Sequence, residues 1–408
     1  MPGQTLLEAS PAMFRDGYEF ISKRCERYGT DIFETRVMLQ KTICMRGSGA
    51  SRLFYDPDRF VREGAAPGRL RWTLLGTHGV QNLDGEQHRR RKNLFMEMME
   101  RASIERIAEI SRDRWVQRAT TWPARRRIKL FDEASVVLFD TAVEWAGVRV
   151  PEDDRVSKTR LMSALIDGPG GLFLRYIRGL LGRRIANRWA AGIIGEARRS
   201  GAPPGSPLAR IADHREPDGR LLGDGAAADE LLNIIRPIVA VARYVVFGAL
   251  AVHEYPTALR SIRTPEGTRQ FVQEVRRFYP FFPFAAARVR RTFEWRGFRF
   301  PRGRRVLLGL YGTCHDPDIW AEPDRFDPSR FENWKDDGHA LIPQGGGDFH
   351  NGHRCAGEWI TISLLQAAMQ FLTESVRYTV PRQNLRISLM RLPALPKSGF
   401  LIQNVELT

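Results

Sequence analysis

The sequence predicts a mainly α fold with a minor β portion, built as one domain over residues 1–408. Three observations predict it. Apolar residues recur at helical spacing over most of 84–280, β-formers alternate over 286–310, and no linker-like tract divides the chain. The 408 residues are 43% hydrophobic, ample for a large buried core.

In chain order, residues 1–60 mix short helical and strand-like pieces, and GAAPGR (64–69) reads as a loop. DGEQHRRRKNLFMEMM (84–99) predicts a helix with Asp84 near its start. The helical pattern continues from 103 to 200, broken at TWPARRR and at GPGG, and SGAPPGSP (200–207) reads as a surface loop. Residues 229–252 predict a long apolar helix opening on Asp229 and Glu230, whose charges suit its positive N-terminal end. GTRQFVQEVRRFYP (267–280) predicts another helix, closed by Pro280. Short strands are expected over 286–310, a helix from Gly357 to about Val376, and strand at the C-terminal end. Between them, 311–355 has few regular signals; roughly 40 structureless residues inside a domain are usually functional. This stretch leads straight to Cys355.

Composition excludes several classes. The opening MPGQTLLEASPAMFRDGYEF has no basic region followed by an apolar one, so no secretory signal is expected. The longest apolar run is interrupted by two arginines and a proline, which argues against a transmembrane segment. A soluble, cytoplasmic protein is expected. The net charge of +16 comes from arginines scattered along the chain, with no basic tail and no nucleic-acid-binding motif, so no nucleic-acid partner is expected. Cys25, Cys44, Cys314 and Cys355 form no C-x-x-C pair, hence neither a zinc site nor a disulfide framework.

PQGGGDFHNGHRCAGEWITISLLQAAMQ (343–370) carries the strongest signal. Cys355 follows a glycine-rich loop and precedes an amphipathic helix, whose N-terminal end favours a thiolate. Glycines 345–347 and 352 allow close backbone approach to something flat, and His353 and Arg354 add cationic donors. Upstream, Glu274 and Arg277 share one helix face at i, i+3, and PDRFDPSRF (323–331) supplies Arg330.

Together these pieces resemble the cytochrome P-450 superfamily: an E-x-x-R helix, a P-x-x-F-x-P-x-R-F meander, then the cysteine. The resemblance implies a cytochrome P-450-like haem-thiolate fold. It also implies a buried triad of Glu274, Arg277 and Arg330, and haem b with iron bound by the Cys355 thiolate. Ordinary members place a glycine four residues before the cysteine, whereas here Gly352 lies three before it, after GGGDFHN. That altered loop resembles the fatty-acid peroxygenase branch, as do 73–96, 271–283 and 391–400.

The central helix supports the same branch. It lacks the acid–alcohol pair by which oxygen-activating members deliver protons, and offers Arg236 and Pro237 instead. A guanidinium matches a carboxylate through two parallel hydrogen bonds, and at about 4 Å and an effective dielectric near 20 the attraction is roughly 4 kcal/mol. An arginine without a partner in an apolar helix makes sense if the partner is a substrate carboxylate, and Pro237 can widen the helix locally. The resemblance places this pair on the distal side of the haem. It implies fatty acid and hydrogen peroxide as reactants, no redox partner, and the substrate carboxylate as general acid-base. Anchoring by the carboxyl end favours reaction at C2, with C3 possible.

Further positions follow from the resemblance. Gln81 favours hydroxylation over decarboxylation to terminal alkenes. His88, Lys92, His353 and Arg62 are candidates for the haem propionates. Leu75, Phe284 and Ala287 are candidates for the substrate pocket, the small Leu75 favouring C2. Arg243, two turns beyond Arg236 on nearly the same face, has no evident partner. The competing readings are a fatty-acid decarboxylase, a reductase-dependent monooxygenase and a non-catalytic haem-binding sensor.

Overall fold

Where apolar positions recur at helical spacing, the chain forms helices Gly85–Met98, Arg101–Ala119, Leu130–Ala146, Glu152–Asp167 and Leu174–Ser200. The computed structural model describes residues 1–3, 8–171 and 173–408. The breaks fall where proline and glycine interrupt the pattern, at 120–127 and 168–171. Asp84 is the N-cap of the first of these helices. Its carboxylate, however, accepts from the backbone N–H groups of Arg62 and Glu63 at 2.8–2.9 Å, which ties the preceding loop to the helix start.

The central apolar helix departs from expectation in two ways. It begins at Asp224, so Asp229 and Glu230 lie inside it, fully buried and ion-paired, and they do not cap its N-terminus. It also runs only to Ala240 and resumes at Ala242, continuing to Glu254. Pro237 withholds the N–H that the carbonyl of Asn233 would accept, and four residues later Val241 turns back to donate to Ile238 at 3.1 Å. The run Asp224–Glu254 is long and apolar enough to cross a membrane, yet it is almost wholly buried in the core. Trp115, Trp122, Phe139, Tyr244 and Phe247 pack within that core.

The β portion is a five-stranded sheet ordered Ile32–Val37, Gln40–Met45, Arg305–Gly309, Phe284–Val289, Phe60–Val61. Gln40–Met45 and Arg305–Gly309 run parallel and the other neighbours antiparallel. Alternation assigns the faces. Ile43, Met45, Ala287, Val306 and Leu308 point into one apolar cluster, and Cys44 and Leu307 into another with Phe20 and Phe33. The expected C-terminal strand is Leu401–Leu407, paired with Val376–Thr379 and Ile128–Lys129.

Helix Pro265–Phe278 presents the E-x-x-R motif, capped by the Thr264 hydroxyl on the Gly267 N–H. Glu274 and Arg277 pair at 2.7 Å with neither side chain exposed, and Arg330 joins Glu274 at 3.3 Å. Arg277 also donates to the carbonyls of Cys314, Pro323 and Arg325, and Arg330 to those of Ala321 and Arg325. The irregular stretch thus hangs from two guanidinia. Replacing Glu274 by Ala strands the buried Arg277 and the partly buried Arg330 and is expected to lower the unfolding free energy by about 3–5 kcal/mol, read as a shift in denaturant midpoint. A loss below about 1 kcal/mol would contradict this role.

Candidate active site

The helix break opens the site. From Ala227 to Ala251 every residue is buried except Pro237. Arg236, next to it, is 4% exposed. Its Nη1 donates to the carbonyl of Leu74 and its Nη2 to Asn233 Oδ1 at 2.8 Å. Among the described residues it forms no ion pair. The two acids on its own helix are engaged elsewhere: Asp229 with Arg183, and Glu230 with Arg91 at 2.7 Å. Burial, aided by the nearby Arg183 charge, pushes the Arg236 guanidinium down to about 9.

The same charges fasten loop 74–82 over the break. Leu74 carbonyl accepts from Arg183 as well as Arg236. The His78 N–H donates to Asp229 at 3.0 Å and the Val80 N–H to Glu230 at 2.9 Å. Gly76 sits at φ 82°, and a Cβ there would collide with Arg183 and Asp229. At Gly79 a Cβ would lie 2.8 Å from Asn233 Nδ2, Gln81 Oε1 and the Leu75 carbonyl. Gln81 reaches Arg236 indirectly, since Asn233 Nδ2 lies 3.4 Å from Gln81 Oε1 and 2.7 Å from Glu230. Leu75 is partly buried at the edge of the large core.

Cys355 precedes helix Glu358–Gln370 by three residues. The Gly357 N–H and the Lys92 charge favour its thiolate, but burial outweighs them and holds the thiol up. The helix N-terminus therefore favours the thiolate, as expected, without outweighing burial. Among the described residues no group of three or more His, Cys, Asp or Glu could hold a metal ion. An ion bound by Cys355 must then bring its other ligands with it.

Arg62, His88, Lys92 and His353 converge beside this loop. The His88 and His353 ring centroids lie 3.9 Å apart with the planes tilted by 31°, and His353 lies 3.6 Å from Asp84. Arg62 donates to the carbonyls of Ala286 and Phe54, and Lys92 to that of Arg354. Among the described residues Arg62, His88 and Lys92 form no ion pair, although all three are buried. Burial pushes Lys92 down to about 8, His88 to about 3 and, against the pull of Asp84, His353 to about 4. Such donors fit an anionic group carrying carboxylates.

Four expectations change. Arg354 is not a free donor beside the cysteine, because it pairs with Glu358 at 2.6 Å and with Asp336. Ala287 is fully buried in the sheet cluster, where strand alternation directs it, and offers no surface to a substrate. Phe284 packs on the opposite face, toward Phe20 and Ile21. Arg243, in turn, has a partner: Asp167 at 2.6 Å.

Arg276, Gln344 and Glu358 were missed. Arg276 is wholly buried, pairs with Glu358 at 2.5 Å and reaches Gln344 Oε1 at 3.2–3.3 Å. Gln344 Nε2 lies 4.0 Å from Cys355 Sγ. The doubled arginine in EVRR was the available signal.

The cytochrome P450 family model matches residues 266–398. Human cytochrome P450 26C1 is 24% identical over 89% of this chain and 79% of its own length. Abscisic acid 8'-hydroxylase 2 of Arabidopsis thaliana is 23% identical over 94% and 84%. Among solved structures, a variant of cytochrome P450SP alpha (CYP152B1) is 42% identical, covers 98% of this chain and 99% of that one, and superposes with a TM-score of 0.97. Cytochrome P450EX alpha (CYP152N1) with myristic acid is 41% identical, with coverage of 100% and 99% and a TM-score of 0.97. Ligand-free cytochrome P450 OleT is 33% identical, with coverage of 98% on both sides and a TM-score of 0.96.

The paired histidines set an acid limit on the unliganded chain. Folded, they stay neutral to about pH 4; unfolded, they protonate near pH 6.5. The unfolded state thus binds more protons between those values, so stability falls as pH drops through the window, by up to ~1.4 kcal/mol per pH unit for each ring. Denaturant titrations at pH 4.5 and 6.5 should show this slope, and His88→Asn/His353→Asn should flatten it. Parallel pH dependences for the two proteins would refute the assignment.

Proposed function

The chain belongs to the cytochrome P450 superfamily, in its CYP152 branch, and from that premise we propose a hydrogen-peroxide-dependent hydroxylase of long-chain fatty acids. The observation that carries the reading is Arg236: a buried cation held by two neutral oxygens and no acid, beside Pro237, the one exposed residue between Ala227 and Ala251. Its remaining N–H donors suit a carboxylate, and a fatty acid has one.

Haem b supplies the peroxide activation and oxygen insertion when bound. Cys355 would ligate its iron, and that charge would stabilise the thiolate that burial opposes. Arg62, His88, Lys92 and His353 would hold its propionates. The rest is positioning by this chain. Arg236 anchors the head group, with Asn233 fixing the plane of its guanidinium. The anchored carboxylate takes and returns the proton that peroxide cleavage requires, acting as general acid-base. Asp229 and Glu230 do not replace it, being buried against Arg183 and Arg91. A fixed head group puts C2 nearest the reacting centre, C3 next, and leaves the chain end far away. Loop 74–82, with Leu75 and Gln81, covers the site from above. No redox partner enters, because peroxide carries both the oxygen and the oxidising equivalents. The whole chain, 1–408, acts as one catalytic domain in the cytoplasm.

Purified protein, long-chain fatty acid and hydrogen peroxide, without reductase, should give 2-hydroxy acids with minor 3-hydroxy acids by mass spectrometry. Terminal alkenes would move the reading to decarboxylation, and turnover only with a reductase and nicotinamide would replace it. Arg236→Ala should lower kcat/KM by about 10²-fold, the loss of charge-assisted hydrogen bonds worth about 3 kcal/mol. Undiminished activity would remove the carboxylate role.

A further inference from the structure

Helix Leu174–Ser200 uses two faces differently. Its inner face is small: Gly179 lies against Thr73, Gly182 against Leu161 and Leu165, and Ala186 and Ala190 are fully buried. Its outer face is apolar and bare. Leu174, Ile177, Leu181 and Ile185 recur at helical spacing and all stand exposed, Leu174 by 70%; Phe173, just ahead of the helix, is 76% exposed. Trp72 extends the patch from the neighbouring turn. That turn is packed against the helix start through Thr73 on Gly179 and through the Arg69 guanidinium, 4.4 Å from the Tyr176 ring. Single exposed apolar residues are ordinary on a protein surface, whereas a contiguous row of this kind marks an interaction site.

Charge identifies the partner. At about 100° per residue, Arg178 falls on one flank of the apolar row and Arg184 on the other, and Arg188 lies in line with the row beyond Ile185. All three are exposed, and among the described residues none forms an ion pair. From 168 to 195 the sequence holds five arginines and no Asp or Glu. A bare apolar stripe between unpaired arginines, with a tryptophan at its margin, matches the interface of a bilayer carrying anionic headgroups. A two-fold contact of this face with itself would set these arginines against one another, since 168–195 holds no acid.

We propose that this face seats the protein on anionic lipid membranes as a peripheral, non-spanning contact. Trp72 lies three residues before Leu75 on one turn that also carries the Leu74 carbonyl held by Arg236. The membrane face and the carboxylate anchor therefore share a segment, and a poorly soluble fatty acid can pass between them. That link to substrate delivery rests on the function proposed above; the surface itself does not.

The test is flotation of the haem-loaded full chain with phosphatidylcholine vesicles, with and without phosphatidylglycerol. Binding is expected only with phosphatidylglycerol, and to weaken as salt rises. Leu181→Glu/Ile185→Glu and Arg178→Glu/Arg184→Glu should each lower partitioning by about 10-fold or more. Peroxide-driven turnover of a short, water-soluble fatty acid should meanwhile stay within about two-fold. Absent binding, equal binding to both vesicles, equal partitioning of the variants, or a solution dimer abolished by the same substitutions would overturn the proposal. Vesicle binding is read without peroxide. An inactive protein that still binds refutes only the proposed reaction, and an active one that does not bind refutes only the surface.

Discussion

A guanidinium deep in an apolar helix, satisfied by hydrogen bonds but not by charge, is the constraint from which the contact between loop 74–82 and the central helix is built. Burying a cation without a counter-ion is costly, and Arg236 lowers that penalty with two neutral acceptors, the Leu74 carbonyl and Asn233 Oδ1. Each acceptor must itself be held. Leu74 is fixed because Arg183 donates to the same carbonyl and pairs with Asp229; Asn233 is fixed by Glu230, which pairs with Arg91. Three arginines and two acids thus lock loop 74–82 to the helix. Removing Asp229 would leave Arg183 uncompensated beside Arg236, whereas Arg91 would keep Glu216 if Glu230 were removed.

The proximal side answers a different problem. The backbone from 311 to 355 has almost no ladder to pair its carbonyls, and buried carbonyls need donors. Arg277 and Arg330 provide them from the Glu274 triad, and Arg276 and Arg354 converge on Glu358 at the start of the next helix. Cys355 is therefore set between two ion-pair clusters, with Gln344 bridging from Arg276 toward its sulfur. The loop is irregular in conformation but closely determined in position.

How much of this could be read beforehand depended on sequence separation. Glu274–Arg277 is local, and Arg236–Pro237 is a dipeptide whose oddity in an apolar run is visible at once. The partner of Arg243 is Asp167, on another helix, and nothing local connects them. Arg276 and Arg277 are adjacent and look alike, yet a 100° step sends one to Glu358 and the other to Glu274. Two errors were avoidable. Strand alternation through 284–289 already separates Ala287 from Phe284, and the start of the central helix was displaced because DGAAADE carries too few large apolar residues to show its period.

The choice of arginine at 236 follows from counting donors. A lysine has three N–H bonds on one atom and could not satisfy Leu74, Asn233 and both oxygens of a carboxylate together. A guanidinium has five in a rigid fork. With Nη1 on Leu74 and Nη2 on Asn233, donors remain for a guest, and their directions are fixed before it arrives. Entropy that would be lost on ordering the side chain is already spent in folding, which would favour a tight and well-aimed grip on the head group of the proposed substrate. Pro237 complements this by opening the helix at the next residue, so the cation and the space it faces come from adjacent positions of one chain segment.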